Sequence, residues 1–356
     1  MLVRVFVALA WVPVGLHAQL PTVRDISGGQ SLGKFEPLGQ VIELASGQVL
    51  ASESEGGSIW SVAPGAARAE RLKLSGSSGV TAGLAWAGGD SAYTFSTRAL
   101  MAYPLSATGK IGAAIGEAPE GAAMFMLGGA GAGSTMAVDA SGRVYQLERD
   151  QTGGNLPARL VSRGKEGSRT EATLLGDAIA RIRIGPGGAE PTRLFQPGDG
   201  WAVTPDGALA VVRAEPYRVE WYRNGERTAE GPVVPFTPVA TTTADSTQWI
   251  ESRRKAMERM PMISGMGGVE GISVLLPPTK PAFVAVGGVR TATDGSLWVL
   301  LHGHSGSKQG VWDHFDAQGR LLERVRFPEG YVVKGFGKGV AYASSAAGEL
   351  YRLPLL

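Results

Sequence analysis

A short unit recurs along this chain: a strand, a turn built on glycine, and a second strand striped with branched or aromatic residues. It runs through residues 41–51 around Gly47, 137–145 around Gly142, 201–211 around Gly207 and 289–299 around Gly295. Weaker copies pass through Gly88-Gly89-Asp90 and Gly337-Lys338-Gly339. The turn glycines stand roughly 40–50 residues apart near both ends and farther apart in the middle, the spacing of a repeat architecture that carries insertions. Ser-Gly and Asp-Gly suit such turns because the second position often takes φ > 0, where a side chain clashes. A second hairpin follows most copies, at Pro64-Gly65, Thr108-Gly109, Asn224-Gly225 and Gln318-Gly319.

Two hairpins per repeat make a four-stranded antiparallel sheet, the blade of a β-propeller, whose faces are buried only when neighbouring blades stack on them. Five such units begin near residues 40, 82, 133, 199 and 285, and a last, from Tyr331 to Leu356, holds about three strands. The segment from Thr22 to Pro37 can supply the missing outer strand, and pairing the two ends of the chain abolishes an exposed edge. The expectation is an all-β, six-bladed propeller closed by its N- and C-terminal strands. Composition agrees: 44% hydrophobic and 19% charged residues provide for a large core, and 52 glycines without a three-residue period fit many tight turns.

The first residues read as an export signal. Arg4 precedes an apolar run over residues 5–15, and Leu16-His17-Ala18 forms a cleavage site before Gln19. The run is shorter than the roughly 20 residues a spanning helix needs, which disfavours an uncleaved anchor. The expected organisation is a signal peptide over 1–18 and one domain over 19–356, periplasmic or secreted, with no membrane span in the mature chain. Cysteine is absent, which excludes disulfides, thiolate metal sites and a cysteine nucleophile. A net charge of +2 with no basic face argues against nucleic acid as a partner.

The segments Asp294-Gly295-Ser296-Leu297-Trp298-Val299 and residues 312–320, from Trp312 to Arg320, resemble the TolB-like and NHL-like six-bladed propellers. The later half of the chain, from Gly198 to Tyr342, looks like exported bacterial propellers of that kind. The resemblance implies the fold and leaves activity open, because propellers host hydrolases, lyases, quinoproteins and binding platforms alike. The lactonase-type members hold a divalent cation in the central channel with carboxylates and amides. Asn occurs here only at Asn155 and Asn224, and Asp139, Asp206 and Asp294 read more simply as turn residues.

One stretch breaks the repeat. Residues about 243–262 read as a helical insertion between the fourth and fifth blades, capped by Asp245 or Thr243 and stopped by Pro261. Trp249, Ile250, Ala256, Met257 and Met260 mark its apolar stripe, either as a plug on the rim or as a lid over a site. Other motifs carry little. Gly303-His304-Ser305-Gly306-Ser307 misses the nucleophile-elbow pattern, and the run from Gly128 to Gly133 lacks the Lys and Ser/Thr of a phosphate loop. His302, His304 and His314 cluster in one hairpin without an obvious third metal ligand.

Propeller connectivity puts the loops between second and third strands on the same face as the inter-blade connections. Arg213, Glu215, Tyr217 and Arg218, together with His302, His304 and the insertion's Arg253 and Arg254, belong there. Glu53, Glu55, Arg98, Glu148 and Arg149 occupy equivalent positions in earlier blades. Polar loop residues converging on one mouth make the candidate ligand site. Arginine pairs with carboxylate or phosphate, so an anionic ligand or acidic partner surface is expected around Arg213 and Arg218. The leading function is an exported module that binds a ligand or protein on this face. The alternative is a metal-dependent hydrolase or lyase of the lactonase type. No cofactor is expected, and a divalent metal belongs to the alternative alone.

Overall fold

In the computed structural model, residues 21–35, 38–53, 58–76, 83–96, 101–115, 136–148, 157–176, 184–185, 188–189, 191–258, 273–304, 307 and 309–355 are described. The export segment, the run from Gly128 to Gly133, Glu55, Arg98, Arg149 and residues 259–262 of the insertion lie outside them. Six sheets form the ring. Blade 1 comprises Leu38–Glu43, Val49–Glu53, Ile59–Val62 and Glu70–Arg71, and blade 2 comprises Gly83–Gly88, Ser91–Ser96 and Met101–Ser106. Blade 3 runs Met136–Val138, Val144–Glu148, Ala158–Gly164 and Gly167–Leu174, and blade 4 runs Gly200–Val203, Leu209–Arg213, Arg218–Arg223 and Glu226–Glu230. Blade 5 holds Val289–Thr291, Leu297–Leu300, Val311–Phe315 and Leu321–Arg326, and blade 6 holds Val332–Gly337, Val340–Ser344 and Glu349–Pro354. The first strand of each blade is innermost, and these six strands neighbour one another in cyclic order around the axis.

Closure uses the N-terminal segment, as the repeat count requires. Gln30–Lys34 pairs antiparallel with Glu349–Pro354 and completes blade 6. Val23–Asp25 also lies parallel to Leu321–Arg326, adding a fifth strand to blade 5. Blade 2 departs from the four-strand expectation. Its fourth strand is reduced to isolated bridges at Ile111 and Ile115.

The core is divided by blade interface. Leu209 and Val211 pack towards blade 3, with Tyr145 and Leu160, whereas Ala210 and Val212 pack towards blade 5, with Leu297 and Phe315. Side chains alternate across a strand, and both faces of this one are buried, so it reads as a continuous apolar run. Equivalent clusters fill the other four interfaces. Fully burying each such Leu or Val contributes roughly 1.5–3 kcal/mol. The turns behave as their composition demands. Gly207 takes φ +81°, and Asn224-Gly225 takes +57° and +83°. Asp139 and Asp294 accept hydrogen bonds from the backbone of Ser141 and Ser296, the local bonding of turn carboxylates.

Candidate functional site

The longest described connection, from blade 4 to blade 5, carries the insertion. Its two limbs are tied together at the base: Lys280 N donates to Val239 O at 2.8 Å and Thr241 N to Pro278 O at 3.1 Å. Above them stands the helix Thr243–Glu258. The residue before it, Thr242, takes the cap position expected of Thr243 or Asp245. The Asp245 carboxylate reaches back to Thr242 N at 2.8 Å, the reciprocal half of a capping box. It also pairs with Lys280 Nζ at 2.7 Å. Both partners are almost wholly buried, at 6% and 5% exposure. Burial would raise the Asp245 pKa, but the Lys280 hydrogen bond and the Thr242 backbone outweigh it and hold the group low. Lys280 further donates to Gly303 O at 2.9 Å and lies 5.0 Å over the Phe195 ring. One ammonium therefore joins the helix start, the blade 5 loop and the connection into blade 4.

These segments enclose a cavity of about 310 Å³, walled by Leu194, Phe195, Trp249, Phe283, Val286 and His302 among others. Thr192–Arg193 pairs with Val274–Leu275 beside it, so the two inter-blade connections hold each other in place. Phe195 has φ +51°, uncommon for a residue with a side chain, and its ring meets His302 edge-on at 5.3 Å. Burial, and then Lys280, push the His302 pKa down to about 4 against the opposing charge of Asp245. The imidazole is therefore neutral near pH 7, with one donor and one acceptor nitrogen. Among the described residues, no protein group hydrogen-bonds to its ring. A largely apolar cavity with a few polar groups, here His302 and Gln196, is the usual form of a small-molecule site.

The other expected site residues fare differently. Arg213 is only 13% exposed in its side chain, and its donors are taken by Glu220, Asp199, Tyr222 and Thr173 O. Arg218 pairs with Glu220 and Glu230. Burial works against Glu220, yet hydrogen bonds from Arg213, Tyr222 and Arg218 hold its pKa down to about 2. Tyr217, expected on the open face, is instead in the core: it is 2% exposed, stacks on Phe283 and donates to Asp313 at 2.9 Å. Its partner Asp313 is held by two bonds from Arg324. The two residues lie in the turn between Leu209–Arg213 and Arg218–Arg223, which turns Tyr217 inward while Glu215 stays exposed. His304 and Arg254 are exposed, and Arg253 is half-buried with its Nε unpartnered. The structure thus brings His302 and the insertion together through Trp249 and leaves the blade 4 cluster to internal ion pairs. Lys280 and Phe195 went unread in the sequence. The signal for Lys280 was a lone cation among Pro277, Pro278 and Pro281.

His314 is stacked on Trp298 at 4.1 Å, away from His302 and His304. Among the described residues, no three His, Asp or Glu side chains converge as metal ligands would. No helix long and apolar enough to cross a membrane occurs among them either.

No protein-family model matches the chain, and no curated protein matches it in sequence. Solved structures match in fold. A member of the DUF4221 family from Bacteroides vulgatus superposes with a TM-score of 0.50 at 8% identity, over 92% of this chain and 96% of its own. Virginiamycin B lyase from Staphylococcus aureus gives 0.43 at 11% identity, over 92% and 99%. A gluconolactonase from Xanthomonas campestris gives 0.41 at 12%, over 92% and 88%. At such identities the likeness is one of fold: a six-bladed propeller with structural neighbours among the gluconolactonases and virginiamycin B lyases.

Proposed function

We propose that this chain is an exported binding propeller that takes a small, largely apolar molecule beneath its inserted helix and orients it by one hydrogen bond to His302. The observation that carries this reading is a neutral, unpartnered imidazole on the wall of an apolar cavity of about 310 Å³. Export rests on Arg4 and the apolar run after it, and membership of the TolB-like and NHL-like group rests on residues 294–299 and 312–320. The alternative, a metal-dependent hydrolase or lyase of the lactonase type, requires converging oxygen ligands in the channel. The described innermost strands carry the cations Arg290 and Lys334 and one carboxylate, Glu43, which the Tyr342 hydroxyl already bonds.

A neutral fluorescent probe, N-phenyl-1-naphthylamine, tests the site. Saturable binding near one equivalent, with a change in Trp249 emission, is expected for the wild type. Val286→Trp, at the half-open rim, should fill the cavity and abolish binding without lowering the melting temperature. Equal binding by V286W places the probe elsewhere and removes this reading. Metal-dependent turnover of a lactone would establish the alternative in its stead.

A further inference from the structure

The shaft along the ring axis is walled by the innermost strands, and two adjacent ones carry cations. Arg290 stands in Val289–Thr291 and Lys334 in Val332–Gly337. The ladder of blade 6 shifts register between Val333 and Gly335. Lys334 is therefore the extra residue of a bulge, a device that re-aims a side chain. Its Nζ donates at 2.9 Å to Leu38 O on the innermost strand of blade 1. Arg290 Nη1 donates at 2.5 Å to Lys334 O, and its Nε lies 3.4 Å from Gly287 O. The guanidinium carbon is 5.9 Å from the Trp312 ring. Both side chains are half-buried, Arg290 reaching the blade 5 to blade 6 interface beside Trp312.

No carboxylate pairs with either cation among the described residues, whereas Arg213, Arg218 and Arg324 each meet at least one. Glu43, on the innermost strand of blade 1, is bonded by the Tyr342 hydroxyl. Burial lowers the Arg290 pKa to about 10, and burial followed by the charge of Arg290 lowers that of Lys334. Two like charges held side by side in a desolvated place are costly without a counter-charge. Stapling one blade to the next does not need charge. Gln40 does the same work as a neutral amide, its Oε1 accepting from Leu84 N of blade 2 at 2.7 Å. The positive charge is thus surplus to the structural role, and each cation keeps N–H donors beyond those its carbonyl partners use.

We propose that Arg290 and Lys334 form an oxyanion site in the central channel, which binds the carboxylate or phosphate group of a free small molecule. The Arg fork supplies paired hydrogen bonds and the Lys a point charge. The site is separate from the cavity under the helix and does not depend on it.

The test titrates the full chain calorimetrically with inorganic phosphate and with succinate, at ionic strength fixed by chloride. Saturable binding of one or both near one equivalent is expected. Arg290→Gln and Lys334→Gln keep an amide able to bond the same carbonyl, so the ring should still close. Each should weaken binding by about tenfold or more, the usual weight of a charge-assisted hydrogen bond. Lys334→Arg should retain it, and V286W should leave it unchanged. Absence of saturable binding by the wild type overturns the proposal, as does wild-type affinity in folded K334Q. Should R290Q fail to fold, K334Q and K334R decide between charge and scaffold alone.

Discussion

His302 is a base whose protonation the fold opposes, and the consequence is a pH dependence of stability with a definite sign. An unfolded histidine takes up its proton near pH 6.5. In the folded protein His302 waits until about pH 4, because burial and Lys280 both disfavour the charge. Between those values the unfolded state binds more protons, so stability falls as pH drops from about 6.5 to 4 and levels off below. With allowance for partial solvent access, the loss over that window is on the order of 2 kcal/mol. The depressed carboxylates Asp245, Asp206, Asp316 and Glu220 stay ionised through it; their contribution disappears only at lower pH. Urea unfolding at pH 7 and pH 5 should therefore show a smaller pH difference in His302→Gln than in the wild type. Parallel losses in the two proteins would mean that His302 is not held neutral.

At the scale of the element, the helix Thr243–Glu258 depends on a clamp more than on its own propensity. Its mean hydropathy is low and its described side chains are largely exposed, so packing alone binds it weakly to the ring. What fastens it is the buried Asp245–Lys280 pair and the bonds that join residues 239–241 to 277–280. Removing one partner of a buried pair leaves the other charge stranded, at a cost of about 3–5 kcal/mol, whereas removing both costs far less. Lys280→Met should therefore expose the region 242–258 to limited proteolysis while the blades stay resistant. Adding Asp245→Asn should restore part of the protection. If K280M resists protease as well as the wild type, something other than the pair secures the helix.

At the scale of the whole molecule, stability turns on closure. The strand Gln30–Lys34 covers the edge of blade 6, and its Leu32 is buried together with the flanking Ile26 and Phe35. Each of these side chains contributes roughly 1.5–3 kcal/mol by burial. Without them the strand Glu349–Pro354 becomes an open edge, a template for pairing with another chain. Deletion of residues 21–35 should lower the melting temperature markedly and produce dimers or aggregates in sedimentation. A truncated chain that melts like the full one, as a monomer, would show that the ring is held by its blade interfaces without the closing strand.

Much of this architecture was legible because its causes are local. Turn glycines at a blade's spacing, apolar runs such as Leu209-Ala210-Val211-Val212 and a spare N-terminal strand follow from φ/ψ sterics, strand period and the need to cover an edge. Those causes act between near neighbours, so blade count, closure and the place of the helix were all determined by the chain's own order. The site was not. Arg213 and Arg218 form a basic patch in one dimension, but Asp199 and Glu220 meet Arg213 across the sheet, and the turn before Arg218 sends Tyr217 to Asp313 in the next blade. Conversely, Lys280 joins Asp245 across 35 positions, and Arg290 and Lys334 become neighbours only because their blades are adjacent. Whether a charge finds its counter-charge depends on which strands the ring brings side by side, a property of three-dimensional proximity that only the tertiary structure could decide.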